Sequence, residues 1–260
     1  MRILLAGESW TTYQLHIKGA AGFATGGYGD GFRHLRDFAV AVGHEVDLLP
    51  NELVARDFPR SADALAAYDV VVLSDLPSDS LLLAEGVLDG RPAPDGIDAL
   101  VAYVAAGGGL LMVGGYMSFA GINGSARYGE TELAAVLPVN MSATDDRRER
   151  PAGVIPTTVD PDHEVLAGVG GAWPPILGYN RVSVKPEAQT VLMAGADPLL
   201  VLGAYGRGRT AAYTSDLAPH WASQDFMVWP ALPRLWNNLL NWVGSPVAAD
   251  DVVPHSPTQR

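Results

Sequence analysis

The chain opens on a short, mostly apolar run, Arg2 to Ala6, that ends in Gly7-Glu8-Ser9-Trp10. With no polar position on either face after Arg2, this run predicts a strand buried on both sides, as in the middle of a parallel sheet. Tyr68–Leu73 and Leu110–Val113 repeat the pattern, and His44–Leu49 predicts a further strand. Between these runs the period changes. Phe32, Leu35, Phe38 and Ala39 recur at helical spacing within Asp30–Val42, which Gly43 stops. Ile97–Ala106 predicts a second helix, closed by Gly107-Gly108-Gly109. Such alternation of strand and helix is the signature of βα units around a parallel sheet. Residues 11–28 hold no sustained period and are expected to form a long loop after the first strand, a place where function is often found.

After about residue 135 the strands crowd together. The pattern predicts them at Gly153–Val159, Arg181–Val184, Thr190–Ala194, Leu199–Ala204 and Arg209–Thr214. Gly-Ala-Asp-Pro and Tyr-Gly-Arg-Gly between the last three are hairpin punctuation. Leu235, Trp236, Leu239, Leu240 and Trp242 then mark a final helix, Leu232–Val243, expected to cover one sheet face. No repeat or linker divides the chain, so one domain over 1–244 and a loose tail over 245–260 are expected.

Composition narrows the function classes. The net charge is −12, from 17 basic against 29 acidic residues, and no basic stripe with interleaved aromatics exists to hold a phosphate backbone. Nucleic acid is therefore not an expected partner. No apolar run approaches the roughly 20 residues that span a bilayer, and the start of the chain reads as a strand rather than a signal peptide. A cytoplasmic protein with no membrane partner is expected. There is no cysteine, so thiolate nucleophiles, thiolate metal sites and disulfides are excluded.

Several phrases together resemble a known family. Ala105-Ala106-Gly107-Gly108-Gly109-Leu110-Leu111-Met112-Val113-Gly114-Gly115-Tyr116-Met117-Ser118-Phe119 is similar to the central segment of a glutamine amidotransferase-like family, a branch of the class I amidotransferases that also resembles ThuA-type domains. Trp173-Pro174-Pro175-Ile176-Leu177-Gly178-Tyr179-Asn180, Tyr205-Gly206-Arg207-Gly208-Arg209 and Thr214-Ser215-Asp216-Leu217-Ala218-Pro219-His220-Trp221 extend the likeness over roughly Arg2 to Gly244. The resemblance implies an α/β, flavodoxin-like three-layer sandwich with a mostly parallel central sheet and an antiparallel C-terminal extension. In class I amidotransferases a cysteine occupies the sharp turn after the central strand, within Gly-x-Cys-x-Gly, with a histidine and a glutamate late in the chain. Here that turn is Gly114-Gly115-Tyr116-Met117-Ser118, and the late segment offers Asp216 and His220. Cysteine-dependent glutamine hydrolysis is excluded.

Ligands of open α/β sheets bind beyond the carboxyl ends of the strands. That rule gathers Glu8, Ser9 and Trp10 after the first strand, Asp75 after the third, and Gly115, Tyr116 and Ser118 after the central one. Asp216, His220 and Trp221 follow the last hairpin strand. His220 is the candidate general acid or base, with Asp216 as its orienting carboxylate; alternatively Asp216 caps a turn and His220 packs against tryptophans. Ser118 is a candidate nucleophile, helix cap or ligand-orienting hydroxyl. Tyr116 stands nearest the vacated cysteine position as a hydrogen-bond donor or acid. Glu8 is expected to be paired with Arg33, Arg36 or His16, or to face a polar pocket. Glu8, His16 and His220 lack metal-ligand spacing, so no metal is expected. No nucleotide-binding glycine fingerprint follows the strand and no phosphate-binding lysine exists, Lys18 and Lys185 being the only lysines. No cofactor is expected, although a small anionic group can find the helix start near Tyr28 and Arg33. His163 reads as a helix entry. Trp173, Trp229, Trp236 and Trp242 read as core or subunit interface.

Two functions compete on these residues, with a glutaminase using a nucleophile other than cysteine as a third possibility. One is a cofactor-free hydrolase or lyase acting on an amide or other carbonyl group of a small polar molecule. The other is a binding or assembly protein that kept the fold and lost catalysis. Pairing into a homo-oligomer is expected in either case.

Overall fold

A computed structural model describes residues 1–247. Most of the tail expected to be loose, residues 248–260, lies outside the described residues. The strands in chain order are β1 (Arg2–Gly7), β2 (Ser9–Lys18), β3 (Ala21–Asp30), β4 (Glu45–Leu49), β5 (Val70–Ser74), β6 (Gly109–Val113), β7 (Val139–Asn140), β8 (Arg147–Val154), β9 (Pro156–Thr158), β10 (Ile176–Asn180), β11 (Ser183–Val184), β12 (Gln189–Ala194), β13 (Asp197–Tyr205) and β14 (Gly208–Tyr213). Eight of them form one mixed sheet in the order β4-β1-β5-β6-β14-β13-β12-β9. The pairs from β4 to β14 are parallel, and those from β14 to β9 are antiparallel.

The apolar runs become central strands because each has two faces to bury. Ile3 and Leu5 of β1, Val70 and Val72 of β5, and Leu111 and Val113 of β6 point into one core. Leu4 and Ala6, Val71 and Leu73, and Leu110 and Met112 point into the other. Helices Arg33–Ala41 and Leu232–Val243 close the first face, the latter through Leu232, Leu235, Trp236, Leu239, Leu240 and Val243 at helical spacing. Helices Asn51–Asp57 and Gly96–Ala105 close the second. Asp95 starts the latter helix, its carboxylate accepting the Ile97 and Asp98 amides. Trp229 and Trp236 belong to the core, and His163 opens a short helical turn by accepting the Val165 amide.

The segment 11–28 departs from expectation. It is a long two-stranded hairpin, β2 paired with β3 from Ser9↔Asp30 to Lys18↔Ala21, and not a loop. Thr11, Tyr13, Leu15 and Ile17 do alternate with polar neighbours. Opposite three of them, however, lie Gly26, Ala24 and Gly22, whose small side chains weaken the apolar pattern on β3. In the second half, β8 begins six residues earlier than expected and pairs with β10, a strand the pattern did not single out. Arg181–Val184 contracts to β11, which pairs with β7. No helix among the described residues is long and apolar enough to cross a membrane.

Candidate functional site

Four parallel strands, β1, β5, β6 and β14, end on the same edge of the sheet, and the strand order reverses between β1 and β5. Ligands bind at such a switch point. The two residues that flank it, Glu8 and Asp75, have left-handed backbones, φ 51° and 46°. For non-glycine residues this conformation costs on the order of 1–3 kcal/mol and persists where the surroundings enforce it. Glu8 is held by its amide on the Ser74 carbonyl and by its carbonyl on the Gly31 amide. Asn51 clamps the neighbourhood, its side-chain amide donating to the carbonyls of Ser9 and Asp75.

Glu8, Trp10, Asp75, Tyr116, Asp216, Ala218, Pro219 and His220 line a cleft of about 320 Å³. Six of the expected site residues therefore meet. Glu8 is buried beneath it, with the Ser74 hydroxyl donating to its carboxyl group. None of the three expected basic partners bonds it: Arg36 pairs with Asp37, His16 bonds Thr25, and Arg33 lines a neighbouring hollow. Gly31 makes the room, because a Cβ there would collide with the Glu8 carboxyl and the Ala218 methyl. Burial pushes the Glu8 carboxyl well above its ordinary range, and the charges of Asp216 and Asp75 add to it. Asp216 is nearly as deep; burial pushes its carboxyl up to about 7, although the Ala218 amide donates to it. Asp75 is raised by burial too, and is held down in part by the Met117 and Tyr116 amides and by His220.

The expected pairing of Asp216 with His220 is corrected by this arrangement. Asp216 accepts the Ala218 amide and shares no hydrogen bond with His220, and its charge acts on the Glu8 carboxyl. The His220 ring is exposed and meets the Tyr116 hydroxyl at 3.5 Å, with the two rings edge to face. Tyr116 in turn donates to Glu149 and lies under the Arg147 guanidinium.

Other expected residues serve the site from behind. Ser118 is buried and its hydroxyl accepts the Asp75 amide, so it does not present a nucleophile, and a short turn at Ile122–Gly124 stands where a following helix was an alternative. The Gly115 amide donates to Asn180, and a Cβ on Gly115 would fall 2.7 Å from the Asp75 carboxylate. Trp221 is fully buried, donates to Glu149 and backs the His220 ring. Ser9 is buried against Glu52 and Asn51. His16 lies outside, six residues beyond Trp10 along an extended strand, or about 20 Å, stacked on Phe23. A neighbouring hollow of about 360 Å³ holds Tyr28, Arg33 and His34 and shares Trp10 and Pro219 with the cleft.

Sequence reasoning missed Asn51, Glu149, Asp146 and Asn180. Asp146 accepts the Ala120 and Gly121 amides and the Asn180 side chain, forming the buried brace beneath the turn after β6. Only Asn180 carried a signal, at the end of a family phrase.

This sheet, with a carboxylate-lined cleft at its parallel edge and no cysteine, defines a protein of the class I glutamine amidotransferase-like fold that lacks the family thiol. The chain matches the family described as "Putative glutamine amidotransferase" over residues 2–245, and it belongs to that family. It is similar to two solved structures from Salmonella typhimurium. Cytoplasmic Protein STM3548 shares 40% identity at TM-score 0.91, over 94% of this chain and 99% of that one. Cytoplasmic Protein STM1381, from strain LT2, shares 39% identity at TM-score 0.90 over the same proportions. A ThuA-like protein from Bacteroides uniformis shares the fold at 11% identity and TM-score 0.56, over 93% of this chain and 90% of that one. No curated protein matches.

Proposed function

We propose that the cleft is the active site of a cofactor-free acid–base enzyme acting on a small polar molecule, of hydrolase or lyase type, at an amide or other carbonyl group. The observation that carries this reading is the Glu8–Asp216 carboxyl pair on the cleft floor, with Asp216 raised to about 7. Two buried carboxyl groups that cannot both ionise share a proton, and a proton held near neutral pH suits general acid–base work. His220, which also lines the cleft, supplies a second proton carrier, and Tyr116 bridges it to Glu149. Trp10 offers an apolar wall. The negative charge that remains on the partly protonated acids disfavours a carboxylate, so the group bound beside them is neutral or cationic. The names of the two Salmonella relatives support a cytoplasmic location.

A second reading rests on one specific observation. The Tyr116 and Met117 amides at the turn after β6 are the kind of donors that can stabilise an oxyanion, and they already hold the Asp75 carboxylate. This favours a binding protein that kept the pocket without the chemistry.

Carboxyl-selective NMR across a pH titration, together with turnover measured on a panel of small neutral amides, lactones and hydroxyketones, separates the readings. The enzyme reading expects one carboxyl group titrating near neutrality, lost in Asp216→Asn together with turnover. Carboxyl groups that all titrate below pH 5, or binding without turnover, would sink it. Glutamine should release no ammonia.

A further inference from the structure

We propose that the β2–β3 hairpin is a dimerisation arm whose apolar face is covered by the same arm of a second copy of this chain. The strand pairing sorts the arm into two faces. One carries Thr11, Tyr13, Leu15 and Ile17, with Tyr28, Gly26, Ala24 and Gly22 across from them. The other carries Trp10, Thr12, Gln14, His16 and Lys18, with Phe23 and Thr25. Every charged or titratable group of the arm between Ser9 and Gly29, apart from the tyrosine hydroxyls, lies on the second face. Such alternation is what a strand shows when one side is to be buried. Yet Tyr13 is 81% exposed, Leu15 and Ile17 are each 72% exposed, and Tyr28 is 54% exposed.

Three arguments select a second copy as the occupant. The first is area. Those four side chains expose on the order of 600 Å², at the upper end for a patch on a monomer. Two such faces together bury about 1,200 Å², the lower bound of a specific interface. The second is charge. No acidic residue lies between Glu8 and Asp30, whereas the whole chain carries −12. Two arms meeting face to face therefore set no carboxylate against a carboxylate. The third is stability, because an isolated two-stranded ribbon is marginal in water and a second ribbon against its apolar face completes a small core. Across a two-fold axis, Leu15, which sits in the middle of the face, meets its own counterpart.

The absence of cysteine makes the test clean. Sedimentation of the full-length chain at micromolar concentration should give a dimer, and Leu15→Asp with Ile17→Asp should give a folded monomer with unchanged circular dichroism at 25 °C. Leu15→Cys should cross-link to a disulfide dimer under mild oxidation, while Gln14→Cys on the opposite face should not. A monomeric wild type, a double variant that stays dimeric, or equal cross-linking from both cysteine positions would overturn the proposal. A monomer that sediments with phosphatidylcholine vesicles would overturn it in favour of a lipid surface.

Discussion

Asp216 shows how one buried group ties chemistry to stability. Its carboxyl is raised in the folded state, so between about pH 4 and about pH 7 the folded chain holds a proton that the unfolded chain has released. Stability therefore falls as pH rises through that window and levels off above it. Asp216→Asn removes the charge that must be desolvated and keeps an oxygen to accept the Ala218 amide. The variant should melt higher than wild type at pH 8, with the difference shrinking toward pH 4; melting followed at both pH values checks this. A gain that is the same at both would mean that the carboxyl is not raised. Gly115 makes a separate case. Its φ of 152° and its approach to Asp75 leave no space for a methyl group. Gly115→Ala should destabilise by about 1–3 kcal/mol in urea unfolding, and Asp75→Ala should recover part of that loss in a double-mutant cycle.

At the scale of elements, the site depends on what holds the strand ends. Asn51, at the start of its helix, ties the carbonyls of Ser9 and Asp75 together. Asn51→Ala should leave both strained turns looser, giving faster amide exchange at residues 8–10 and at Asp75 and Leu76 while exchange in β6 stays slow. Equal exchange at both places would show that Asn51 is not the clamp. This is also the scale at which the sequence was most and least legible. Leu232–Val243 was readable to the residue because one helix face repeats in large apolar side chains. The central strands were readable because burial on both faces leaves no polar position. The arm escaped because most of its large residues sit on β2 while glycines and alanines fill most of β3, so much of its pattern is silent. Asp216 and Glu8 were legible as strand-end residues. Their partnership was not, since 208 positions separate them and only the folding of the Ala218 loop onto Gly31 brings them together. Asn51 and Glu149 had no signal at all, being ordinary polar residues in a helix start and a strand.

For the whole molecule, charge sets the terms of association. Two copies at −12 each repel one another, and salt screens that repulsion over roughly 8–10 Å. Dimerisation through an arm free of acids should therefore tighten when sodium chloride is raised from low to physiological concentration, read as a fall in the dissociation constant by sedimentation. An interface built on ion pairs would weaken instead.

Glu8 and Asp75 stand on neighbouring strands held in register, Gly7 beside Ser74, and Tyr116 follows on the next strand along. Their separation is inherited from the main-chain ladder, in steps of about 4.8 Å, and owes little to the side chains themselves. Such a rim works like a rack with fixed pegs. Descent can exchange what hangs on one peg without moving the pegs beside it. New reactions can then arise on this frame by single replacements, well before any rearrangement of the fold is called for.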